Sequence, residues 1–99
     1  MSGLDRKMVF NAAPTNFKAM KEEISTKLRN MKLDPSKVTF VQNGNRIEAK
    51  IDKAIDVAHA NMMSNTISTG LTAHDPNAKL LTNKTTYSIN KPQANPIQP

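Results

Sequence analysis

Apolar residues recur along this chain with two legible helical stripes. Phe17, Met20, Ile24, Leu28 and Met31 follow one another at spacings of three, four, four and three. That spacing lays one narrow stripe along a helix of period 3.6 and predicts a helix over about 15–32. Thr15 or Asn16 is placed to cap its start. Lys18 with Glu22, and Glu23 with Lys27, form i,i+4 pairs on the polar side. Lys27, Arg29 and Lys32 fall in the last turns, where the helix dipole favours cations. Asp34-Pro35 closes the segment, because a residue before proline avoids the α region.

The second stripe is Ile47, Ile51, Ala54, Ile55, Ala58 and Met62. It predicts a longer helix over about 46–69, opened by Asn45 and Glu48 as a variant capping box. Ala54, Ala58 and Ala60 leave room for another helix to approach. The run SNTIST after Met63 has poor helix propensity and is expected to fray. Gly70 is suited to the left-handed position after a helix, with Leu71 as the apolar residue beyond it.

Between and beside these stripes lie three short stretches with strand character. Met8-Val9-Phe10 is a brief apolar patch. Val38-Thr39-Phe40-Val41 is β-branched and aromatic, which favours a strand over the alternative of a short helix with Asp34 as its cap and Pro35 at its first position. Thr85, Tyr87 and Ile89 alternate within KTTYSIN. Asn43-Gly44 is a turn, and such a turn often joins two strands of a hairpin. RIEAKI after it alternates weakly, but the helical stripe explains it better. The expected fold is therefore mainly α: two amphipathic helices in an antiparallel hairpin with extended arms. The alternative is α+β, with a small sheet from 8–10, 38–42 and 85–90. Residues 1–13 read as an N-terminal arm, 14–71 as a helical core, and 72–99 as an extended, Pro-containing basic tail.

Composition narrows the picture. Ninety-nine residues make one small domain at most. Hydrophobic residues are 37% of the chain and aromatics 4%, with no Trp, so a core completed by another copy or a partner is expected. The formal charge is +6, and the segment after Pro76 has lysines but no acid. Lys79, Lys84 and Lys91 are too widely spaced for a dense nucleic-acid arm. No cysteine is present, which removes disulfides, thiolate zinc sites and thiol nucleophiles. The first residues lack the apolar core of a signal peptide, and no apolar run approaches the roughly 20 residues that span a bilayer. A cytoplasmic location, or incorporation into a particle assembled there, is expected.

Little in the chain carries chemistry. On a helix, Asp52, Asp56 and His59 would share one face, but no fourth ligand is visible and a solvated polar face explains them. His74-Asp75 lies near several serines, yet triads are defined by geometry rather than adjacency. The three glycines are too scattered for a phosphate-cradling loop. Met20, Met31, Met62 and Met63 suit either packing between the helices or an adaptable binding surface. Asn83-Lys84-Thr85 is a formal glycosylation sequon. Residues 60–73 loosely resemble the Asn-rich helix end of flagellar rod and hook proteins. Leu71 stands where that family has an aromatic, no partner helix follows, and the likeness carries no expectation.

These features imply a protein that is not an enzyme, takes no cofactor or metal and binds no small-molecule substrate. The leading expectation is a structural or adaptor subunit docking onto a larger protein assembly or a second copy, with a virus or phage particle as one setting. Its contact residues would be Phe17, Met20, Ile24, Leu28, Met31, Ile51, Ile55, Met62, Tyr87 and Ile89. One alternative is a basic nucleic-acid-binding module of low sequence specificity using Lys18, Lys21, Lys27, Arg29 and Lys32. Another is a small protein inhibitor of a partner enzyme.

Overall fold

The computed structural model describes residues 3–88. The chain is α+β, not mainly helical. Its elements run β1 (Gly3–Asn11), α1 (Phe17–Asn30), a 3-10 turn (Pro35–Lys37), β2 (Val38–Asn43), β3 (Arg46–Ala54), α2 (Val57–His74) and β4 (Lys79–Ser88). The four strands form one antiparallel sheet in the order β2-β3-β1-β4. Each helix connects two strands with a third inserted between them, which is the split β-α-β-β-α-β arrangement of ferredoxin-like domains.

The first expected helix is present as α1. Asn16 caps it by accepting a hydrogen bond from the Ala19 amide. Its end is not set by Asp34-Pro35. Lys32 takes a left-handed backbone conformation, φ 64°. The Leu33 amide then donates to the Leu28 carbonyl and the Lys32 amide to the Arg29 carbonyl. This is a Schellman stop built on lysine where glycine is usual. Asp34 instead caps the 3-10 turn, accepting from the Ser36 amide and hydroxyl.

The second expected helix, 46–69, is corrected. Residues 46–54 are strand β3, and the helix spans Val57–His74. Asn43 and Arg46 pair directly across Gly44-Asn45, with Gly44 at φ 60°. A two-residue hairpin loop needs that left-handed value at its first central position, and glycine adopts it without strain. The turn therefore joins β2 to β3, and Ile47, Ala49 and Ile51 point to one face, all fully buried. The helix cap is Asp56, not Asn45: its carboxylate accepts from the His59 amide. SNTIST does not end the helix. Ile67 and Leu71 are fully buried within it, and Asp75-Pro76 follows its last residue.

The three stretches read as short strands under the α+β alternative, 8–10, 38–42 and 85–90, fall within β1, β2 and β4 as far as residue 88. Residues 89 and 90 lie outside the described residues. The sheet is larger than that alternative. Residues 3–11, taken as an arm, form a central strand flanked by β3 and β4.

Both helices pack on one face of the sheet. Leu4, Met8 and Phe10 of β1 and Ile47, Ala49 and Ile51 of β3 meet Met20, Ile24 and Leu28 of α1 and Ala60, Met63, Ile67 and Leu71 of α2. Full burial of a side chain of this size contributes roughly 1.5–3 kcal/mol, so the nine largest fully buried ones dominate the favourable side of folding. Gly70 sits where α2 crosses α1, directly against Ile24. It is an interior helix residue rather than the residue after the helix.

Candidate functional site

Two surfaces stand out, and both arise from the sheet. The first is the edge at β2. This strand has a neighbour on one side only, β3, so its outer backbone groups are unpaired among the described residues. It contains no charged residue or proline, the usual edge protectors, and Val41 is 53% exposed. Beside it, α1 stands off from the strand and leaves a groove of about 690 Å³. Lys21, Glu22, Ser25, Thr26 and Arg29 of α1 line one wall, and Val38, Thr39 and Phe40 the other. Lys21, Ser25 and Arg29 recur every four positions, with Glu22 and Thr26 beside them, which puts all five on one side of the helix. Phe17 packs edge-on against Phe40 with ring centroids 6.5 Å apart, and Lys21 Nζ lies 4.8 Å from the Phe17 ring centre. Phe17 thus braces two lining residues, Phe40 and Lys21, at the N-terminal end of α1.

The second surface is the face of the sheet turned away from the helices. Directly paired residues of neighbouring strands point to the same face. The register therefore aligns Thr39, Lys50, Lys7 and Lys84 in one row. The next row is Val41, Glu48, Val9 and Thr82, and the one beyond is Asn43, Arg46, Asn11 and Lys79. Glu48 is the one carboxylate in these rows, and it pairs with Lys7 at 3.2 Å. Asp5 and Asp52 lie beyond the lysine row, towards the irregularity between β1 and β3. The Asp5 carboxylate accepts from the Lys53 amide.

Other polar clusters have local structural roles. Arg6, nine-tenths buried, donates from Nε to Thr85 and from Nη1 to Asn61 and Ser64, tying α2 to β4. His74 Nε2 lies 2.7 Å from Glu23, joining the end of α2 to α1, and this bond holds the Glu23 carboxyl below its ordinary range. The Asp56 carboxyl is lowered by the His59 amide and ring, and the Asp34 carboxyl by Ser36. Asp52 lies in β3 and Asp56 is a cap, so the shared helix face with His59 does not exist. No group of three potential metal ligands occurs among the described residues. No helix among them is long and apolar enough to cross a membrane.

The residues expected to meet a partner divide. Met20, Ile24, Leu28 and Ile51 are fully buried in the core, where a docking protein cannot reach them. Phe17 is half-buried behind the groove, packed against Phe40. Met31 and Met62 are exposed together over a second groove of about 410 Å³, with the Thr66 hydroxyl 3.3 Å from the Met31 sulfur. Ile55 and Tyr87 are exposed at separate places, and Ile89 lies outside the described residues. Of the basic residues expected to meet nucleic acid, Lys21 and Arg29 line the β2 groove. Lys18 and Lys27 lie elsewhere on α1, and Lys32 serves the Schellman turn. The cations of the open sheet face were not legible as a set. Lys7, Lys50 and Lys84 are far apart in sequence, and only strand register aligns them.

No family model matches the chain, and no curated protein matches it. Among solved structures it is similar to "De novo designed protein Foldit4", with a TM-score of 0.55 and 7% identity. That match covers 92% of this chain and 100% of the designed one. At this identity the likeness concerns the fold alone.

Proposed function

We propose that the protein is a non-catalytic subunit that joins a larger protein assembly by accepting an extended segment of a partner at the β2 edge. A virus or phage particle is one setting for such an assembly. The observation that carries the reading is an uncharged edge strand lying beside an open groove under α1. Strand addition uses those two parts together: backbone bonds to the edge give affinity, and side-chain pockets beside it give selectivity. The incoming strand would alternate, one set of side chains entering the groove over Phe40 and the other facing away. Lys21 and Arg29 outnumber Glu22 among the groove's lining residues, which favours an acidic residue in the segment.

The test is a selection of extended peptides on the intact chain, followed by mapping of the best binder through amide hydrogen exchange. Protection is expected across Val38–Asn43. Val41→Lys, placed on an exposed edge position, should abolish binding and leave the fold intact. Protection confined to another element, or full binding by the variant, refutes the reading.

A further inference from the structure

We infer that the open face of the sheet binds the phosphate backbone of duplex nucleic acid. Lys50, Lys7 and Lys84 stand side by side on β3, β1 and β4. Strands lie about 4.8 Å apart, so the three ammonium stems arise within about 10 Å. Like charges directly opposite one another in a sheet are destabilising. Glu48, the one acid within the three rows, engages Lys7, and that leaves Lys50 and Lys84 in excess. Arg46 and Lys79 add two more cations four positions further along β1, about 13 Å away. The three rows hold five cations and one carboxylate, a net charge of +4, and Asp5 and Asp52 beyond the lysine row bound this basic patch on the same face.

The rest of the face decides the ligand. Between the cations are Val9, Val41, Thr39 and Thr82, with no aromatic ring. Register puts Phe10, Phe40 and Tyr87 on the helix side, paired with Ile47, Ala49 and Leu4. Single strands are held by stacking bases on aromatic side chains, which this face cannot offer. A duplex carries its charge more densely, about one per 1.7 Å of axis, and needs only cations to be held. No side chain here is forked and buried to read base edges, so contact is to phosphate and sequence-independent. This surface meets the β2 groove at Thr39 and does not include the α1 lysines.

The experiment uses the full chain and a random-sequence DNA duplex of about 20 base pairs, titrated from 50 to 200 mM salt. Four neutralised phosphates give a slope of log affinity against log salt between about −3 and −4, roughly a hundredfold loss over that range. Lys50→Gln with Lys84→Gln should lower the slope by about two and leave the melting temperature equal or higher, because the crowded lysine row is relieved. Lys18→Gln with Lys21→Gln and Lys27→Gln on α1 should leave the slope unchanged. Absence of binding at 50 mM salt overturns the inference. So does an equal loss in both variants, a loss confined to the α1 variant, destabilisation by the sheet variant, or a single strand bound as tightly as the duplex.

Discussion

Gly70→Ala in α2 is a sharp test of how the two helices meet. On helix propensity alone, alanine in place of an interior glycine gains about 1 kcal/mol. The structure reverses that expectation. A methyl group at position 70 would come within 2.8 Å of Ile24 Cδ1 and closer still to Cγ1. Ile24 is fully buried, so it cannot swing out to solvent to make room. Overpacking of this kind costs about 1–3 kcal/mol, which leaves a net loss near 1 kcal/mol. In a domain of this size that lowers the melting temperature by about 4–8 °C. Urea unfolding followed by far-UV circular dichroism gives the same quantity as a shift of midpoint at constant slope. Ile24→Ala supplies the second leg of a double-mutant cycle. Alone it should cost about 2–5 kcal/mol. In its background Gly70→Ala should become stabilising by about 1 kcal/mol, because the methyl fills vacated space and the propensity gain is realised. A higher melting temperature for Gly70→Ala in the wild-type background would refute the close crossing, as would an equal loss in both backgrounds.

Three further outcomes follow from other parts of the fold. Lys32→Gly should raise stability by up to about 1 kcal/mol in thermal unfolding, because a left-handed lysine carries strain of roughly 1–2 kcal/mol that glycine lacks and glycine's backbone entropy offsets part of the gain; a lower melting temperature would contradict the Schellman stop. Arg6→Lys should cost about 1–3 kcal/mol by the same measurement, since an ammonium cannot reach Thr85, Asn61 and Ser64 with the guanidinium's fork; no loss would show that the fork is not needed. The Glu23 carboxyl is depressed below 4.5 chiefly by its bond to His74, so its contribution is present above that pH and fades as pH falls through the folded-state value. Glu23→Gln should therefore flatten the acid limb of the melting temperature against pH, and superimposable curves for variant and wild type would count against the bond.

Residues 47–51 show why the fold was only partly legible. Ile47 and Ile51 are four apart, and four positions return to the same face both in a strand of period two and, nearly, in a helix of period 3.6. Ala49 fits the strand, Ala54 and Ile55 extend the helix pattern, and the longer pattern wins on sequence alone. The chain resolves the tie non-locally. The Gly44 turn fixes register with β2, and burial of one face of β3 under the two helices rewards the alternating set. Ile55, which the helical stripe required to be buried, is 66% exposed. The α1 helix was legible because its stripe, its Asn16 cap and its charge pairs agree. The α2 start was not, because Asp56 sits inside the apparent stripe. The candidate surfaces depend on register and edge position, and neither is a property of any single segment.

The position of β1 has a consequence for how this protein is made. Its two neighbours in the sheet are β3 and β4, and Gly3–Asn11 pairs with residues as distant as Lys79–Ser88. As the chain leaves the ribosome, one side of its first strand waits for nearly the whole described sequence to follow. Until then β1 and its apolar Met8 and Phe10 have at best one ladder closed, the state in which sheet edges find the wrong partner. A nascent chain is therefore a target for chaperones or for unwanted pairing until Lys79–Ser88 has emerged and joined the sheet.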